Sequence, residues 1–283
     1  MKYIVLYNPY SFNGKGKEEA YKLLDKLKDE LEFVSMHEID NFEEFFKNNK
    51  EDIIICGGDG TLNYFINHTK DIEYKNNILY YSTGTGNDFY HEVGDNNHFP
   101  MNINKYLEDL PTVIVNDKEY QFLNGVGYGI DGYCCEEGDR IKEKTKKPVN
   151  YTSIAIKGLL YKFKPRNARI IVDGECYEFK KVWLAPTMNG KFYGGGMMVA
   201  PNQDRLNKDR TVTLVVMHGK GKIATLLAFP SIFKGEHINK KKMVSVFEGY
   251  NITVSFDRPT ALQIDGETIK NVTEYSVKVH TSK

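Results

Sequence analysis

Apolar runs alternate with segments of helical periodicity over the first hundred residues. The apolar runs lie at residues 2–7, 33–40, 53–56 and 78–81, and the segments at 18–32, 41–49 and 62–68 have the helical spacing. This alternation predicts a parallel sheet with helices on both faces. In such sheets ligands bind at the carboxyl ends of the strands, so we expect a binding site in the loops that follow them.

The pattern changes at about residue 112. From there the apolar runs are short and are separated by turns, which is typical of an antiparallel sandwich. Three dipeptides, Asn116-Asp117, Asp173-Gly174 and Glu248-Gly249, lie where hairpins are expected to reverse the chain. One helix, at residues 150–164, is predicted to interrupt the strands. The sequence therefore divides into an α/β part, residues 1–111, and a β-rich part, residues 112–283.

The apolar run at residues 53–56 stops at Gly57, Gly58, Asp59, Gly60 and Thr61. Glycine brings backbone N–H groups close to a ligand, and the following helix presents its positive end, so we expect an anion site for phosphate. Asp59 fits beside phosphates if it holds a cation, binds a hydroxyl or accepts a proton. The alternative is an ordinary turn in which Asp59 is the N-cap of the helix.

Three other glycine-rich segments have different expected roles. The loop at residues 82–88 repeats the hydroxyl-rich and glycine-rich pattern, and the two loops are expected to face one crevice. The loop at residues 11–17 could hold a phosphate but lacks the Walker A pattern. Gly127, Gly129 and Gly132 have the G-x-G-x-x-G spacing, but no second strand ending in an acidic residue follows at the required distance. We interpret that segment as strand and turn with structural glycines.

Composition narrows the class of protein. The 38 basic and 38 acidic residues cancel, which argues against binding of nucleic acid by broad phosphate neutralisation. Mean hydropathy is −0.49, and no apolar run approaches the roughly 20 residues that span a bilayer. The first residues lack the features of a secretory signal, and the four cysteines show no CxxC spacing. These features predict a cytoplasmic protein, soluble or peripheral on the inner membrane face.

Five motifs occur in an order that resembles the diacylglycerol kinase catalytic-domain family, which includes bacterial soluble lipid kinases, sphingosine kinases and ceramide kinases. They are NPYSFNGKG (8–16), GGDGTLN (57–63), STGTGNDF (82–89), GGGMMVAP (194–201) and QIDGE (263–267). GGDGT is shared with NAD kinases, whereas the opening Asn-Pro, the GND loop and the late IDGE resemble the lipid kinases more specifically. The resemblance implies an N-terminal parallel-sheet nucleotide-binding domain and a C-terminal β-sandwich-like lipid-substrate domain. Whether the C-terminal tail returns to the first domain stays open.

The resemblance also implies an activity and a set of site residues. The expected reaction is ATP-dependent, Mg²⁺-assisted transfer of the γ-phosphoryl group to a hydroxyl of diacylglycerol or a related lipid alcohol. Asp265 and Glu267 are the expected catalytic candidates for accepting the proton of the lipid hydroxyl, with Glu267 favoured as the base. Asp59 is expected to be essential, either for magnesium and phosphate organisation or for base catalysis. The positions expected around the nucleotide are Asn8, Pro9, Ser11, Gly57, Gly58, Asp59, Gly60, Thr61, Leu62, Asn63, Thr85 and Asn87.

Two departures from the family pattern affect these expectations. Phe12 stands where the first loop of the family usually has glycine, which predicts a wider turn with fewer phosphate contacts. Asp209 is the best match to a structural magnesium ligand, but Arg210 follows it where relatives have glycine. These departures favour a nucleotide-binding regulatory module without turnover as one alternative. The GGDGT motif shared with NAD kinases leaves an NAD kinase-like phosphotransferase as the other.

Access to a lipid has to be explained without a membrane span. Residues 154–163 and 226–242 combine apolar side chains with lysines, which fits either contact with anionic lipid or core helices with solvated lysines. The expected partners are a lipid alcohol at a membrane surface and, for oligomeric state, a second copy of the chain as a homodimer.

Overall fold

A computed structural model describes residues 1–84, 86–95, 97, 99–145 and 149–279 of the chain. The chain forms two compact units, Met1–Glu108 and Asp109–Lys283. They are called the first and the second unit below.

The first unit is built on a mostly parallel sheet. Its strands are β1 (Lys2–Tyr7), β2 (Glu30–Ser35), β3 (Asp52–Gly57), β4 (Ile78–Ser82) and β5 (Met101–Asn102), in the order β2-β1-β3-β4-β5. Strands β1 to β4 are parallel, and β5 joins the edge of β4 in the antiparallel direction. Residues 53–57 of β3 are buried because helices cover the sheet. The predicted parallel α/β part is confirmed.

Short helices connect these strands. They are α1 (Ser11–Gly14), α2 (Gly16–Tyr21), α3 (Phe42–Asn48), α4 (Asp59–Thr69), α5 (Asp88–Val93) and α6 (Asn104–Leu107), with 3-10 turns at Lys22–Asp25 and Met36–Glu38. The side chain of Asn41 caps α3 by accepting a hydrogen bond from the Glu44 N–H at 3.1 Å. Helix α4 buries Leu62, Phe65 and Ile66. The helices expected at 41–49 and 62–68 are confirmed.

The long helix expected at residues 18–32 is wrong. Helix α2 ends at Tyr21, a 3-10 turn follows, and β2 already begins at Glu30. Strand β2 pairs with β1 along its whole length, from Lys2 opposite Glu30 onwards. The hydrogen bonds of the sheet therefore override the helical spacing of the leucines, and Leu24 is left exposed.

The second unit contains a large antiparallel sheet. Its strands before the middle of the unit are β6 (Thr112–Val115), β7 (Lys118–Gln121), β8 (Gly125–Tyr128), β9 (Arg166–Val172) and β10 (Glu175–Val182). The later strands are β11 (Thr187–Met188), β12 (Phe192–Tyr193), β13 (Met197–Met198), β14 (Val212–Met217), β15 (Val244–Gly249), β16 (Asn251–Ile264) and β17 (Glu267–Lys278). The main path is β15-β14-β11-β8-β16-β17-β6-β7; β9 pairs with β16 and β10, and β12 and β13 form a separate hairpin.

Strand β16 holds the large sheet together. Its first half pairs with β9, its end pairs with β8, and β17 runs beside both halves. The register between β16 and β17 shifts between Ser255 and Thr260, and the two halves of β16 pair with different strands on the other side. Tyr128 stacks on Phe256 with ring centroids 4.0 Å apart, and the buried Tyr275 donates its hydroxyl to Ala185 O. The β-rich, antiparallel character of this part is confirmed.

Two of the three expected hairpins occur. Asn116 and Asp117 have φ of +49° and +59° between β6 and β7, and Asp173 and Gly174 have φ of +49° and +92° between β9 and β10. The hairpin expected at 248–249 is wrong, because both residues belong to β15, which pairs with β14. The carboxylate of Asp173 instead accepts hydrogen bonds from the N–H groups that follow β15, at residues 250 and 251.

The helices of the second unit are α7 (Ile130–Thr145), α8 (Tyr151–Lys157) and α9 (Lys222–Ala228). Helix α8 continues into a π-helical turn, Gly158–Lys162, and 3-10 turns lie at Phe229–Ile232 and Glu236–Asn239. The helix expected at 150–164 is thus confirmed in α8 and its π turn. No helix in the described part of the chain has both the length and the apolar character that crossing a bilayer requires.

Helix α7 was not expected from the sequence. The glycine-rich segment does begin as strand β8, but sixteen helical residues follow it. Gly129 has φ of +111°, and a Cβ on Gly132 would lie 1.8 Å from Ala261 O. These glycines have backbone roles: one turns the chain, and the other lets α7 pack directly on β16.

Candidate active site

Three loops of the first unit leave the same edge of the sheet. Tyr7 pairs with Cys56, and Gly57 pairs with Ser82, and all three strands are parallel. The loops that begin at Asn8, Gly58 and Thr83 therefore start side by side at the carboxyl ends of β1, β3 and β4. This is the edge at which open α/β sheets bind their ligands.

Two of these loops touch through glycine. A Cβ on Gly84 would lie 2.6 Å from Gly58 Cα and 2.4 Å from Asn87 Oδ1, so a side chain at residue 84 would push the loops apart. Asn87 has φ of +47°, and its Nδ2 donates to Gly84 O. The structure thus brings together Gly58 and Asn87, two residues that we expected at the nucleotide. Thr85, expected there as well, lies outside the described residues.

Asn87 also carries an unsatisfied acceptor. Its Oδ1 is buried and has no hydrogen-bond partner among the described residues. Buried acceptors without a protein partner are uncommon and call for water or a ligand. A ligand with an N–H or O–H donor fits this position between the two glycine loops.

The segment Gly57–Asn63 forms the turn into α4. A Cβ on Gly57 would lie 2.2 Å from Thr61 Oγ1, so the strand passes directly over the first turn of the helix. Gly58 is the residue before α4, and the N–H groups of a first helical turn have no partner within the helix. Leu62 is fully buried and belongs to the core, whereas Gly58, Asp59 and Gly60 are partly exposed. The exposed part of this segment has the geometry of a phosphate site.

The carboxylate of Asp59 joins two helices. Its Oδ2 accepts a hydrogen bond from the Asp88 N–H at 2.8 Å, and its Oδ1 accepts one from the Phe89 N–H at 3.0 Å. Asp59 is the first residue of α4, but it caps the N terminus of α5, which begins 29 residues later. The alternative of a local N-cap on the helix that follows is therefore wrong, since Gly58 occupies that position.

The first loop is organised around Asn8. Its Oδ1 accepts the Tyr10 N–H at 2.9 Å, and Ser11 Oγ donates to Asn8 O at 2.7 Å. His37 Nε2 lies 3.3 Å from Asn8 Oδ1, and the His37 ring is 4.7 Å from the ring of Tyr64 on α4. Asn8 and Ser11, both expected at the nucleotide, are thus close together. His37 and Tyr64 were missed, although His37 follows β2 at the same edge of the sheet.

Phe12 adopts a backbone conformation that suits glycine. Its φ is +51°, and the Lys15 N–H still donates to Phe12 O at 3.3 Å. Phe12 lies in the short helix α1, so the chain still turns at this position in spite of the aromatic side chain. A left-handed conformation costs a residue with a Cβ about 1 kcal/mol.

In the second unit, Asp265 is committed to the backbone. Its Oδ2 accepts the Leu123 N–H at 2.6 Å, and its Oδ1 accepts the N–H groups of Asn124 and Gly125 at 2.8 and 3.0 Å. Asp265 lies in the turn between β16 and β17, where it has φ of +45°. Glu267 begins β17 in the same hairpin and is exposed. The buried carboxylate of Asp265 fixes the turn, and the carboxylate of Glu267, in the same hairpin, is exposed.

A buried polar cluster around residues 123–125 was missed from the sequence. Arg205 is 6% exposed; its Nη1 donates to Leu123 O at 3.1 Å and its Nη2 to Asn124 Oδ1 at 3.2 Å. Asn189 Nδ2 also donates to Leu123 O, at 3.0 Å. The segment that Asp265 holds is thus bound by a buried cation as well. None of these residues follows a local pattern that marks it for burial.

A second buried pair lies beside Gly127. Asp131 Oδ2 and Gln263 Nε2 are buried, and neither has a hydrogen-bond partner among the described residues. A Cβ on Gly127 would lie 2.5 Å from Gln263 Nε2 and 2.9 Å from Asp131 Oδ2. Burial raises the pKa of Asp131 to about 7, and the nearby hydroxyl of Tyr193 acts in the opposite direction. An acceptor and a donor that converge in this way can hold a hydroxyl group.

Glu267 lies within electrostatic reach of Cys135 on α7. Burial is the main cause that raises the pKa of Cys135 to about 12, and the charges of Asp131, Asp139 and Glu267 contribute to this rise. Thr268, next to Glu267, donates its hydroxyl to Asp139 Oδ2 at 2.7 Å. The hairpin of Asp265 therefore sits against the acidic side of α7. Its glutamine, Gln263, is the part of the QIDGE motif whose role the sequence did not reveal.

Asp209 lies in an exposed turn before β14. Arg210 has φ of +55°, the conformation that glycine would adopt there, and its Nη2 is 3.5 Å from Asp109 Oδ2. No group of three or more His, Cys, Asp or Glu side chains suited to a metal occurs in the part of the chain that the structure describes. The magnesium site at Asp209 stays a prediction.

A parallel α/β unit with glycine-lined loops, followed by an antiparallel β-rich unit, defines an NAD kinase-like fold. Residues 2–115 match the diacylglycerol kinase catalytic domain, and residues 124–280 match the YegS C-terminal NAD kinase beta sandwich-like domain. The chain therefore belongs to the diacylglycerol kinase catalytic-domain family, a family of lipid kinases.

Individual proteins agree with this assignment. A diacylglycerol kinase of Mycobacterium tuberculosis is 25% identical over 252 residues, which cover 84% of this chain and 80% of that protein. A diacylglycerol kinase structure from Bacillus anthracis is similar in fold, with a TM-score of 0.61 and 18% identity over 98% of this chain and 93% of that one. Yeast NADH kinase has a TM-score of 0.50 at 9% identity over 100% of this chain and 79% of that one. At these identities the two structures establish the fold.

Proposed function

We propose that the protein is an ATP-dependent lipid kinase that phosphorylates the hydroxyl of diacylglycerol or a related lipid alcohol. The observation that carries the proposal is the contact of the Gly58 and Gly84 loops, with the unsatisfied Asn87 Oδ1 between them, at the carboxyl edge of the sheet. This arrangement suits a nucleotide because it combines backbone donors for phosphates with a buried acceptor for a hydroxyl or amine.

The nucleotide would be held by the loops of the first unit. The N-terminal turn of α4 and its glycines face the phosphates in this proposal, and Asn8, Pro9 and Ser11 border them from the neighbouring strand. When bound, Mg²⁺ neutralises phosphate charge in such reactions and is usually held by one or two carboxylates together with the substrate phosphates. Asp59, partly exposed beside the glycines, is the carboxylate that fits this chemistry.

The three acidic residues have different roles in this proposal. The hydrogen bonds of Asp59 and Asp265 to backbone N–H groups support positioning roles for both, since these bonds hold the loops on which the site depends. The exposed Glu267 is the proposed base: it takes the proton of the acceptor hydroxyl as that oxygen bonds to the γ-phosphorus. The bond from the γ-phosphorus to the bridging oxygen breaks, and ADP leaves with that oxygen.

The unsatisfied pair in the second unit supports an alcohol as the acceptor. Asp131 Oδ2 can accept the proton of a hydroxyl, and Gln263 Nε2 can donate to its oxygen. We assign this pair to binding of a polar group of the lipid. A buried donor and acceptor left without partners favour a substrate that satisfies both over an analogue without the hydroxyl.

Exposed apolar side chains support contact with a membrane surface. Tyr161, Ile223 and Leu227 are each more than 70% exposed, and Lys222 Nζ donates to Leu160 O, which joins α9 to the π turn. Exposed lysines stand close to Tyr161 in the chain, at residues 157, 162 and 164. Apolar side chains with a basic rim suit peripheral binding to anionic lipid. The core alternative holds for Ile154 and Leu159, which are buried.

The test is transfer of labelled γ-phosphate from ATP to a total lipid extract, with NAD as a parallel acceptor. We expect a labelled lipid, and we expect Glu267→Gln to lose at least 100-fold in rate because proton transfer contributes about that much. Glu119→Gln, at an exposed glutamate of β7, is the matched control and should retain the rate. Label in NAD would favour the phosphotransferase alternative, and tight ATP binding without any product would favour the regulatory module.

A further inference from the structure

The second unit contains a basic pocket of about 320 Å³. Three segments line it: the start of α7, the chain from the π turn into β9, and the middle of the β16–β17 pair. All of these residues belong to the second unit, whereas the glycine loops belong to the first. The pocket is therefore not part of the nucleotide loops.

Most of the charged residues that line the pocket are positive. Lys162, Lys164, Arg166 and Arg258 line it, with Glu136 as the carboxylate among the lining residues. Asp257, next to the pocket, pairs with Arg258 at 3.6 Å and also accepts a hydrogen bond from Asn167. The protein as a whole has no net charge, so this concentration of cations is local. A local excess of this kind attracts anions.

Arg166 is held rigidly but is incompletely paired. Its Nη1 donates to Lys164 O at 2.6 Å, and its guanidinium carbon lies 5.4 Å from the centre of the Phe163 ring. Its Nε is buried and has no hydrogen-bond partner among the described residues. A fixed guanidinium with an unsatisfied donor is prepared for an acceptor that the protein does not supply.

The two arginines also repel each other. Burial and the charge of Arg258 lower the pKa of Arg166, while Asp257 opposes this effect. Bringing two guanidinium groups together beside an apolar ring costs free energy, and an anion between them would recover it. Thr260 and Asn271 add polar side chains to the lining.

We propose that this pocket is a second site, outside the nucleotide loops, that binds a phosphate group through Arg166 and Arg258. Guanidinium forks match the geometry of phosphate oxygens, which favours phosphate over a simple halide. The pocket is large enough for inorganic phosphate, for a glycerophosphate and for a lipid headgroup. The lysines at 162 and 164 are exposed at its edge, where they strengthen the local positive potential.

Three probes distinguish the sources of the phosphate group. Inorganic phosphate and glycerol 3-phosphate are titrated into the full chain by calorimetry with ATP present, and phosphatidylglycerol vesicles are compared with phosphatidylcholine vesicles by flotation. Binding of the soluble anions assigns the site to free phosphate compounds. Binding of phosphatidylglycerol vesicles alone, if Arg166→Gln and Arg258→Gln weaken it, assigns the site to a lipid headgroup; vesicle binding that neither variant weakens would overturn the proposal. If the wild-type chain binds none of these probes, the proposal is wrong.

Each of the three variants replaces one arginine with glutamine and so removes one positive charge. Arg166→Gln and the exposed Arg258→Gln should each weaken binding at least tenfold, whereas Arg169→Gln on the same strand should stay within twofold. Arg169 is exposed, and its Nε contacts Cys176 Sγ, so its loss removes the same charge outside the pocket. Equal weakening by all three variants would show a diffuse charge effect and would overturn the site. If Arg166→Gln does not fold, Arg258→Gln decides. Because the lipid kinase assay is separate, its failure would leave this result unchanged.

Discussion

Asp59 caps the helix that starts at Asp88, 29 residues further along the chain. Its two oxygens accept the N–H groups of Asp88 and Phe89 at 2.8 and 3.0 Å. The acid of the glycine-rich turn thereby fixes the neighbouring loop that carries Asn87. Negative charge at a helix N terminus is stabilising, so this link joins two binding loops into one element.

We expect Asp59→Ala to destabilise the protein by about 1–2 kcal/mol, because two backbone N–H groups lose their acceptor. The measurement is urea unfolding of both proteins. Asp71→Ala, which changes an exposed aspartate beyond the end of α4, is the control and should change stability little. Unchanged stability of Asp59→Ala would show that the cap on α5 does not contribute to the stability of the protein.

Phe12 offers a test of backbone strain. Phe12→Gly and Phe12→Ala both remove the ring, but only glycine adopts a φ of +51° without strain. We expect the glycine variant to be more stable than the alanine variant by about 0.5–1 kcal/mol, in spite of its larger unfolded-state entropy. Thermal unfolding of the two variants gives the difference. A more stable alanine variant would mean that the loop relaxes when the ring is removed.

Asp131 should make stability depend on pH. Its folded pKa of about 7 lies above its ordinary value of 3.8, so the folded state binds the proton more tightly. Protonation of Asp131 therefore adds to the free energy of unfolding in full below about pH 4. This stabilisation falls as pH rises towards 7 and is absent above that pH. Asp131→Asn removes the titrating group. We expect the stability difference between pH 5 and pH 8 to shrink by on the order of 2 kcal/mol in this variant.

The comparison of wild type with Asp131→Asn removes the contributions of other groups. Burial lowers the pKa of His218 and His237 as well, but both histidines are present in the two proteins. Denaturant unfolding at the two pH values gives the four free energies that are needed. Equal pH dependence in wild type and variant would show that Asp131 is ionised at its ordinary pKa.

Asp265 and Glu267 should respond differently to neutralisation. Asp265→Asn leaves three backbone N–H groups with a poorer acceptor, so we expect a loss of about 2–3 kcal/mol in stability. Glu267→Gln changes an exposed side chain and should alter stability by less than about 0.5 kcal/mol. The measurement is the free energy of unfolding of each variant in denaturant, which separates the structural role of Asp265 from the exposed position of Glu267. A larger loss for Glu267→Gln would reverse these roles.

The local parts of this fold could be predicted from the sequence. The buried run at 53–56 followed by glycine gave strand, turn and α4, and the Asn116-Asp117 and Asp173-Gly174 turns have the left-handed residues that hairpins need. Each of these elements depends on neighbours within a few residues. Propensity and periodicity are informative at that range.

What the sequence could not predict depends on distant partners. The role of Asp59 requires α5, the burial of Arg205 requires the carbonyl of Leu123, and the short α2 results from the pairing of β2 with β1. Helix α7 is mostly polar, and Gly132 allows its backbone to pack directly against β16. These contacts join residues that are far apart in the chain, so no local pattern reveals them.

The most direct test of the lipid kinase proposal is a radiolabelled transfer assay with diacylglycerol vesicles and ATP, using wild type, Glu267→Gln and Glu119→Gln with stabilities measured in parallel. The proposal predicts labelled lipid with wild type and Glu119→Gln, and at least 100-fold less with a folded Glu267→Gln. Labelled lipid formed at the wild-type rate by Glu267→Gln would contradict the role of this base. No labelled product from wild type with any lipid alcohol would contradict the activity itself.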